Sequence, residues 1–254
     1  ATARFASAAA VSDFNFAALS SASAAFAAAF LTVVLVFGRR RDHRKIAVVD
    51  GEVAFTGGVN IADEYINKRV RFGHWKDAAI RLSGEAARSF AAIFMENWCF
   101  CRGKAEDISP YLLSDPSKTS ASRAFVQPYA DSPLDENTVG EEVYLCAISA
   151  AVKTLYITTP YFIVDDGMVK AHVNAAKSGV DVRIVTPHKW DKKLVHMATR
   201  SYYRELTEGG VRVYEYSKGF IHSKTLVTDG SLSIVGTTNF DYRSLYYHFE
   251  CGTV

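Results

Sequence analysis

In the second half of the chain, short alternating runs of apolar and polar residues are separated by stretches with helical spacing. The pattern predicts a strand over 154–159, a helix over 165–178 and a strand over 181–186 closed by Pro187. A helix over 191–208 follows, then strands over 211–216, 221–228 and 232–235, the last two joined by Asp229-Gly230. Strands alternating with helices predict an α/β layered fold, and the Asp-Gly hairpin makes its sheet mixed.

The opening of the chain reads differently. Residues 14–38 carry no charge, 14 of the first 31 residues are Ala, and Arg39, Arg40 and Arg41 follow at once. An apolar run of about 20 residues with a basic flank fits a membrane helix whose basic end is cytoplasmic. The same residues also fit an Ala-rich helix over 16–30 followed by a buried strand over 32–37. Periodicity does not separate the two.

An internal repeat favours the second reading. Around position 43 the chain reads D-H-R-K-I-A-V-V-D-G-E-V-A-F-T-G-G-V-N, and around position 222 it reads I-H-S-K-T-L-V-T-D-G-S-L-S-I-V-G-T-T-N. Both give a His, a Lys two later, an Asp seven later and an Asn seventeen later. The two sets are His43/Lys45/Asp50/Asn60 and His222/Lys224/Asp229/Asn239. Strand 211–216 begins eleven residues ahead of His222, and 32–37 begins eleven ahead of His43. The register therefore places a helix and then a strand before each motif. The expected organisation is an apolar segment over 1–38, a first half over 39–102, a Pro-containing linker over 103–140 and a second half over 141–254.

His and Lys at i and i+2 of a strand leave the same face. An imidazole beside a fixed ammonium, with an Asn after a turn of small residues, suits a phosphate oxyanion. One His can attack phosphorus while the other protonates the leaving oxygen, so two copies together make a catalytic set. A divalent metal is not expected, because each His has a lysine two residues away whose charge would repel it.

Composition narrows the partners. The net charge is +2, with 49% hydrophobic and 13% aromatic residues, which excludes a disordered chain and a generally basic nucleic-acid binder. The four cysteines (Cys99, Cys101, Cys146 and Cys251) form no C-x-x-C pair, so free thiols in a reducing compartment are expected, not a zinc site or a disulfide scaffold.

The repeated segments resemble the paired H-x-K-x4-D motifs of the phospholipase D superfamily. More narrowly, D-H-R-K-I-A-V-V-D-G-E-V-A-F-T-G-G-V-N-I-A-D-E-Y, T-P-Y-F-I-V-D-D, and H-S-K-T-L-V-T-D with G-T-T-N-F-D-Y-R-S resemble bacterial cardiolipin synthases. The likeness runs from about residue 39 to residue 254. It implies two repeated phospholipase D-like α-β-α layered halves with mixed sheets, the first of them truncated, and a chain shorter than the family at both ends.

The resemblance further implies transfer through a phosphatidyl-histidine intermediate, without metal or cofactor. His43 would attack phosphatidylglycerol, His222 would protonate the departing glycerol, and a second phosphatidylglycerol would complete cardiolipin; the near symmetry permits the reverse assignment. Lys45, Lys224, Asn60 and Asn239 would hold the phosphate. Asp50 and Asp229 match the motif acid, with a structural role expected at the turn. Asp77 in W-K-D and Glu250 in H-F-E would each fix a histidine's tautomer. Thr237 keeps the hydroxyl of the family's Gly-Ser step, whereas Gly58 loses it, and Asp241 and Arg243 would form a supporting pair. The implied partner is anionic phospholipid at the cytoplasmic face of the cell membrane, with Arg39–Arg41 and Arg44 as headgroup contacts. A hydrolase or a metal-independent nuclease of the same superfamily is the alternative, although +2 overall argues against nucleic acid as partner.

Overall fold

A computed structural model describes residues 6–7, 41–112 and 124–254. The apolar stretch 14–38, with both of its readings, lies outside them. No helix among the described residues is long and apolar enough to cross a membrane.

The first half contributes β1 (Ala6–Ser7), β2 (Arg41–Asp42), β3 (Ile46–Val49), β4 (Val53–Gly57), β5 (His74–Lys76), β6 (Ala79–Ser83) and α1 (Glu85–Arg102). Strands β1, β3, β4 and β6 form an antiparallel sheet in that order. Ala87, Phe90, Ala91 and Met95 fall on one stripe of α1, and this stripe is its buried face. Ala87 and Phe90 pack against Ile46, Ala54 and Leu82 of the sheet.

The rest of the chain gives α2 (Ser109–Leu112), β7 (Pro128–Asp131), α3 (Val139–Ser149), β8 (Thr154–Thr158), β9 (Phe162–Ile163), α4 (Asp166–Lys177) and β10 (Asp181–Pro187). It continues with α5 (Lys193–Ser201), α6 (Tyr203–Glu208), β11 (Arg212–Tyr216), β12 (Gly219–Ile221), β13 (Thr225–Thr228), β14 (Leu232–Gly236), β15 (Phe240–Asp241), α7 (Tyr242–Tyr246) and β16 (His248–Thr253). The larger sheet runs β11-β10-β8-β13-β14-β16-β2, with β7 also on β16. Strand β10 is parallel to β8 and β11, reached through α4 on one side and α5–α6 on the other, whereas β13 is antiparallel to both neighbours. The sheet is mixed as expected. Alternate residues Leu155, Ile157, Val182, Ile184, Leu226 and Ile234 make its buried core.

Three local readings change. The helix over 191–208 is two helices meeting at Tyr202, whose hydroxyl donates to the Val164 carbonyl at 2.9 Å. Within the stretch 103–140, β7 is a full member of the larger sheet, pairing Asp131 with Glu250. The strand over 221–228 is interrupted at His222, Ser223 and Lys224: β12 belongs to a two-stranded sheet with β5, whereas β13 joins the large one. The motif is the bend between two sheets.

Both motif copies end in the same turn. Asp50 and Gly51 have φ of 53° and 70°, and Asp229 and Gly230 have 54° and 67°. Two successive left-handed residues match the right-handed twist of a tight hairpin, and Asp-Gly supplies them at low steric cost.

Candidate active site

The site is assembled by two short parallel pairings across the halves. Strand β5 pairs with β12 in the register Trp75↔Phe220 and Lys76↔Ile221. The next residues are Asp77 and His222, and the His222 amide donates to the Lys76 carbonyl at 2.7 Å. Strand β2 pairs with β16 as Arg41↔His248 and Asp42↔Phe249. The next residues are His43 and Glu250, and the His43 amide donates to the Phe249 carbonyl at 3.0 Å. Each histidine is thus set beside an acid of the opposite half by strand register.

The side chains complete the pairing. His43 Nδ1 lies 2.9 and 3.0 Å from the two oxygens of Glu250. His222 Nδ1 lies 2.8 Å from Asp77 Oδ2. A charged carboxylate only accepts, so Nδ1 carries the proton in each ring and Nε2 holds the lone pair. Glu250 is fully buried and receives a further hydrogen bond from the Thr237 hydroxyl at 2.5 Å, which in turn accepts from the Cys251 amide. Asp77 accepts from the Ala78 amide at 2.8 Å instead. A Cβ at position 58 would collide with Asp77 Oδ1 at 2.1 Å, so the glycine there makes room for the acid.

The lysines are held close to the histidines. Lys45 Nζ donates to the His43 carbonyl at 2.5 Å. Lys224 Nζ donates to the His222 carbonyl and lies 2.9 and 3.1 Å from the two ring nitrogens of that residue. Asn60 donates to the Tyr65 hydroxyl at 2.5 Å, and buried Asn239 donates to Ser244 at 3.1 Å while its carbonyl oxygen has no partner among the described residues.

Burial sets the protonation states. It pushes the Lys224 ammonium down to about 7 and that of Lys45 to about 8, against the opposing charges of Asp77 and Glu250. Burial, followed by the Lys224 charge, brings His222 to about 3, and burial lowers His43 despite Glu250. Burial alone would raise Glu250, but the charges of His43 and Lys45 and its hydrogen bonds outweigh it and hold the carboxylate at about 2. Asp77 is lowered likewise: its bond to His222 and the Lys224 charge outweigh burial. The free site near neutrality therefore holds two carboxylates, two neutral imidazoles and two lysines poised near the ambient pH. A bound anion would hold those protons in place.

The remaining motif positions sort differently. Asp229 is outside the site: its carboxylate accepts from the amides of Val152, Lys153 and Thr154 at 2.7–2.9 Å, pinning the hairpin to the start of β8. Asp50 is exposed at the equivalent turn. Both aspartates stand at the turn that needs left-handed residues, the place where a structural role was expected of them. Asp241 caps α7 by accepting from the Ser244 amide at 2.8 Å, a role distinct from the expected pairing with Arg243. Arg44 is committed to Asp42 at 2.9 and 3.0 Å and covers the Phe249 ring, so it does not reach outward as a headgroup contact.

Three residues outside the repeated His, Lys, Asp and Asn positions border the site. Tyr65 meets the His222 ring edge-on at 5.2 Å, Trp75 lies at 5.5 Å from the same ring, and His248 is 5.5 Å from His43. The only sequence signals are their neighbours: Trp75 precedes Lys76-Asp77, and His248 lies two before Glu250.

The family described as "Cardiolipin synthase, PLD-like domain" matches residues 144–254. A cardiolipin synthase of Geobacillus kaustophilus is 42% identical over 210 residues, covering 83% of this chain and 42% of that protein. An uncharacterized protein of Streptococcus mutans is 46% identical over 213 residues, covering 84% of this chain and 46% of its own length. The chain spans less than half the length of these curated relatives. In fold it is similar to phosphatidylserine synthase of Haemophilus influenzae, with a TM-score of 0.57 at 16% identity, covering 84% of this chain and 57% of that one. Both motif copies converge on one site, and in sequence the chain is similar to cardiolipin synthases, with the family match lying on the segment that holds the second copy.

Proposed function

We propose that the site transfers a phosphatidyl group through a phosphohistidine, with phosphatidylglycerol as donor and acceptor and cardiolipin and glycerol as products. The observation that carries the reading is the crossed pair of histidine–carboxylate contacts, His43–Glu250 and His222–Asp77, with two lysines between them. Nε2 of His43 attacks phosphorus and the bond to the glycerol oxygen breaks. That oxygen takes a proton from His222, which the anionic substrate helps to hold in its charged form. The hydroxyl of a second phosphatidylglycerol then returns a proton to His222 and attacks phosphorus, and the P–N bond breaks. Lys45 and Lys224 neutralise the phosphate in both steps, with Asn60 and Asn239 as amide donors.

An amphiphile fits the surroundings. A cavity of about 460 Å³ has His43, Lys45 and Asn60 at its polar side and Ile46, Phe55 and Val59 along its apolar walls. Exposed Ile66 and Val70 flank the Tyr65 that packs on His222, and exposed Trp190 and Leu194 flank the Asp191 that accepts from Tyr161 at 2.5 Å. Lys68, Arg69, Lys189 and Lys192 are exposed on the same loops, and Lys193 is exposed at the start of α5. Apolar tips among lysines and arginines suit an anionic bilayer surface.

The test is turnover of phosphatidylglycerol vesicles in EDTA with product identification. Cardiolipin and glycerol together support transfer. Phosphatidic acid as the sole product assigns hydrolysis, and cleavage of DNA without lipid turnover rejects the lipid reading. His43→Ala and His222→Ala are each expected to abolish turnover.

A further inference from the structure

His248 has no task in the proposed transfer, yet it is placed as a ligand. Its side chain is 10% exposed, and among the described residues neither ring nitrogen has a partner within hydrogen-bond distance. Its ring faces that of His43 at 5.5 Å, and its Nδ1 lies 3.7 Å from Glu250 Oε1. Satisfying neither nitrogen of a buried imidazole is costly, so such a group marks a place where something polar is accommodated.

We infer that His43, His248 and Glu250 form an inhibitory zinc site, in which a bound Zn²⁺ ion takes the reacting histidine out of use. One ligand atom from each residue lies within 4.8 Å of the other two. The His43–Glu250 and Glu250–His248 separations of 2.9 and 3.7 Å bracket the edge of a zinc tetrahedron, about 3.3 Å for bonds of about 2.0 Å. Two imidazole nitrogens and one carboxylate oxygen are a donor set that zinc accepts with a fourth position open. Magnesium and calcium prefer sites built of oxygen atoms, so they are poor competitors here.

The chemistry balances without redox. Nδ1 of His43 releases to solvent the proton it shares with Glu250, and its lone pair binds the ion. A nitrogen of His248 and Oε1 of Glu250 supply the other bonds. The ring then loses the carboxylate that orients it, and the ion withdraws electron density from Nε2. The lysine argument against metal bears on each motif taken alone. Across the halves, the carboxylate of Glu250 faces the ligand cluster, whereas the Lys45 ammonium is turned onto the His43 carbonyl. Lys45 still opposes the ion, so the site is weaker than a structural zinc site. Zinc here is an inhibitor and not a cofactor.

The loss of turnover rests on the transfer reading; the binding does not. The experiment therefore measures both on the whole chain, after alkylation of the accessible thiols so that Cys99, Cys101 and Cys146 bind no zinc. Zinc is titrated in competition with a chromophoric chelator. One ion per chain is expected, with binding weakened by about tenfold or more in His248→Asn and His248→Gln and unaffected by millimolar Mg²⁺. Circular dichroism confirms that the variants are folded; two variants guard against the loss of one. In parallel, zinc should arrest phosphatidylglycerol turnover by the parent chain, chelator should restore it, and each His248 variant should keep, at the same zinc concentration, whatever turnover it shows without zinc. No bound zinc, or equal affinity in parent and variants, overturns the inference. Bound zinc that depends on His248, in a chain that turns over no lipid, upholds the site and rejects the transfer reading.

Discussion

The carboxylate of Glu250 meets Nδ1 of His43 at 2.9 Å across 207 residues of chain, and Asp77 meets His222 at 2.8 Å across 145. Neither half therefore holds a complete histidine–carboxylate unit. Each half supplies an imidazole and the acid that orients the other half's imidazole, so the chemistry depends on the two being assembled.

Glu250→Gln keeps a hydrogen-bond partner for His43 but removes the charge that fixes its tautomer. By the behaviour of such pairs, turnover is expected to fall on the order of 10³–10⁴-fold. Because the acids are crossed, the loss in Glu250→Gln should appear in formation of the covalent intermediate. In Asp77→Asn it should appear in both formation and breakdown, through His222. Rapid quench with radiolabelled lipid separates the two steps. An intermediate formed at the parent rate in Glu250→Gln would remove His43 from the nucleophile's role.

The lysines predict the pH profile. An ammonium is charged below its pKa, and burial places Lys224 at about 7 and Lys45 at about 8. Capture of a phosphodiester needs those charges, so kcat/KM is expected to fall as pH rises through about 7 to 8. On the acid side the neutral form of His43 is required, and its pKa is lowered from 6.5, so the rate should persist below that value. Lys45→Arg, which stays charged, should shift its share of the alkaline limb upward whatever happens to the maximum rate. A profile flat through pH 9 in the parent chain would contradict the assignment.

Much of this site is legible in the sequence, because a repeated polar pattern survives even where the fold around it differs. The offsets from His43 and His222 identify the lysines and asparagines, and the resemblance to phospholipase D-like proteins points to the downstream acids Asp77 and Glu250. What spacing cannot give is which acid serves which histidine. That depends on registers between β2 and β16 and between β5 and β12, strands of two to six residues that carry no periodicity of their own. Strand β7 is missed for a similar reason: Pro128 at its start and a four-residue length hide a partner of β16 inside a stretch that reads as connection. His248 is hidden by its ordinary context, since a lone histidine near a strand end is unremarkable until Glu250 and His43 are seen beside it.

Asp229→Ala tests the separation between motif and mechanism. Its carboxylate accepts three backbone amides and touches none of the reacting groups. The substitution should lower the thermal midpoint and leave the kcat of the folded fraction near the parent value. Asp229→Asn keeps both an acceptor and a side chain tolerant of φ near 54°, so it should recover part of the midpoint. A chain fully stable as Asp229→Ala but inactive would return the residue to the chemistry.

The rim of the site predicts how the protein meets its substrate. Ile66, beside Tyr65, and Leu194, in the first turn of α5 beside Asp191, are 66% and 79% exposed, whereas Val152, 73% exposed, stands at the far end of β8 from the Thr158–Ser223 contact. Placing a leucine or isoleucine side chain in a bilayer is worth about 1.5 kcal/mol or more, roughly tenfold in partition. Ile66→Ser and Leu194→Ser should therefore each reduce sedimentation with phosphatidylglycerol vesicles by about tenfold, and Val152→Ser should not. Raising the salt should weaken binding of the parent chain, because the exposed lysines and arginines beside Ile66 and Leu194 lose their attraction to the anionic surface. Turnover of a short-chain, micelle-forming phosphatidylglycerol, which requires no bilayer docking, should survive both rim substitutions. Equal losses for all three serines, or loss of soluble-substrate turnover along with vesicle binding, would place the membrane-facing surface elsewhere.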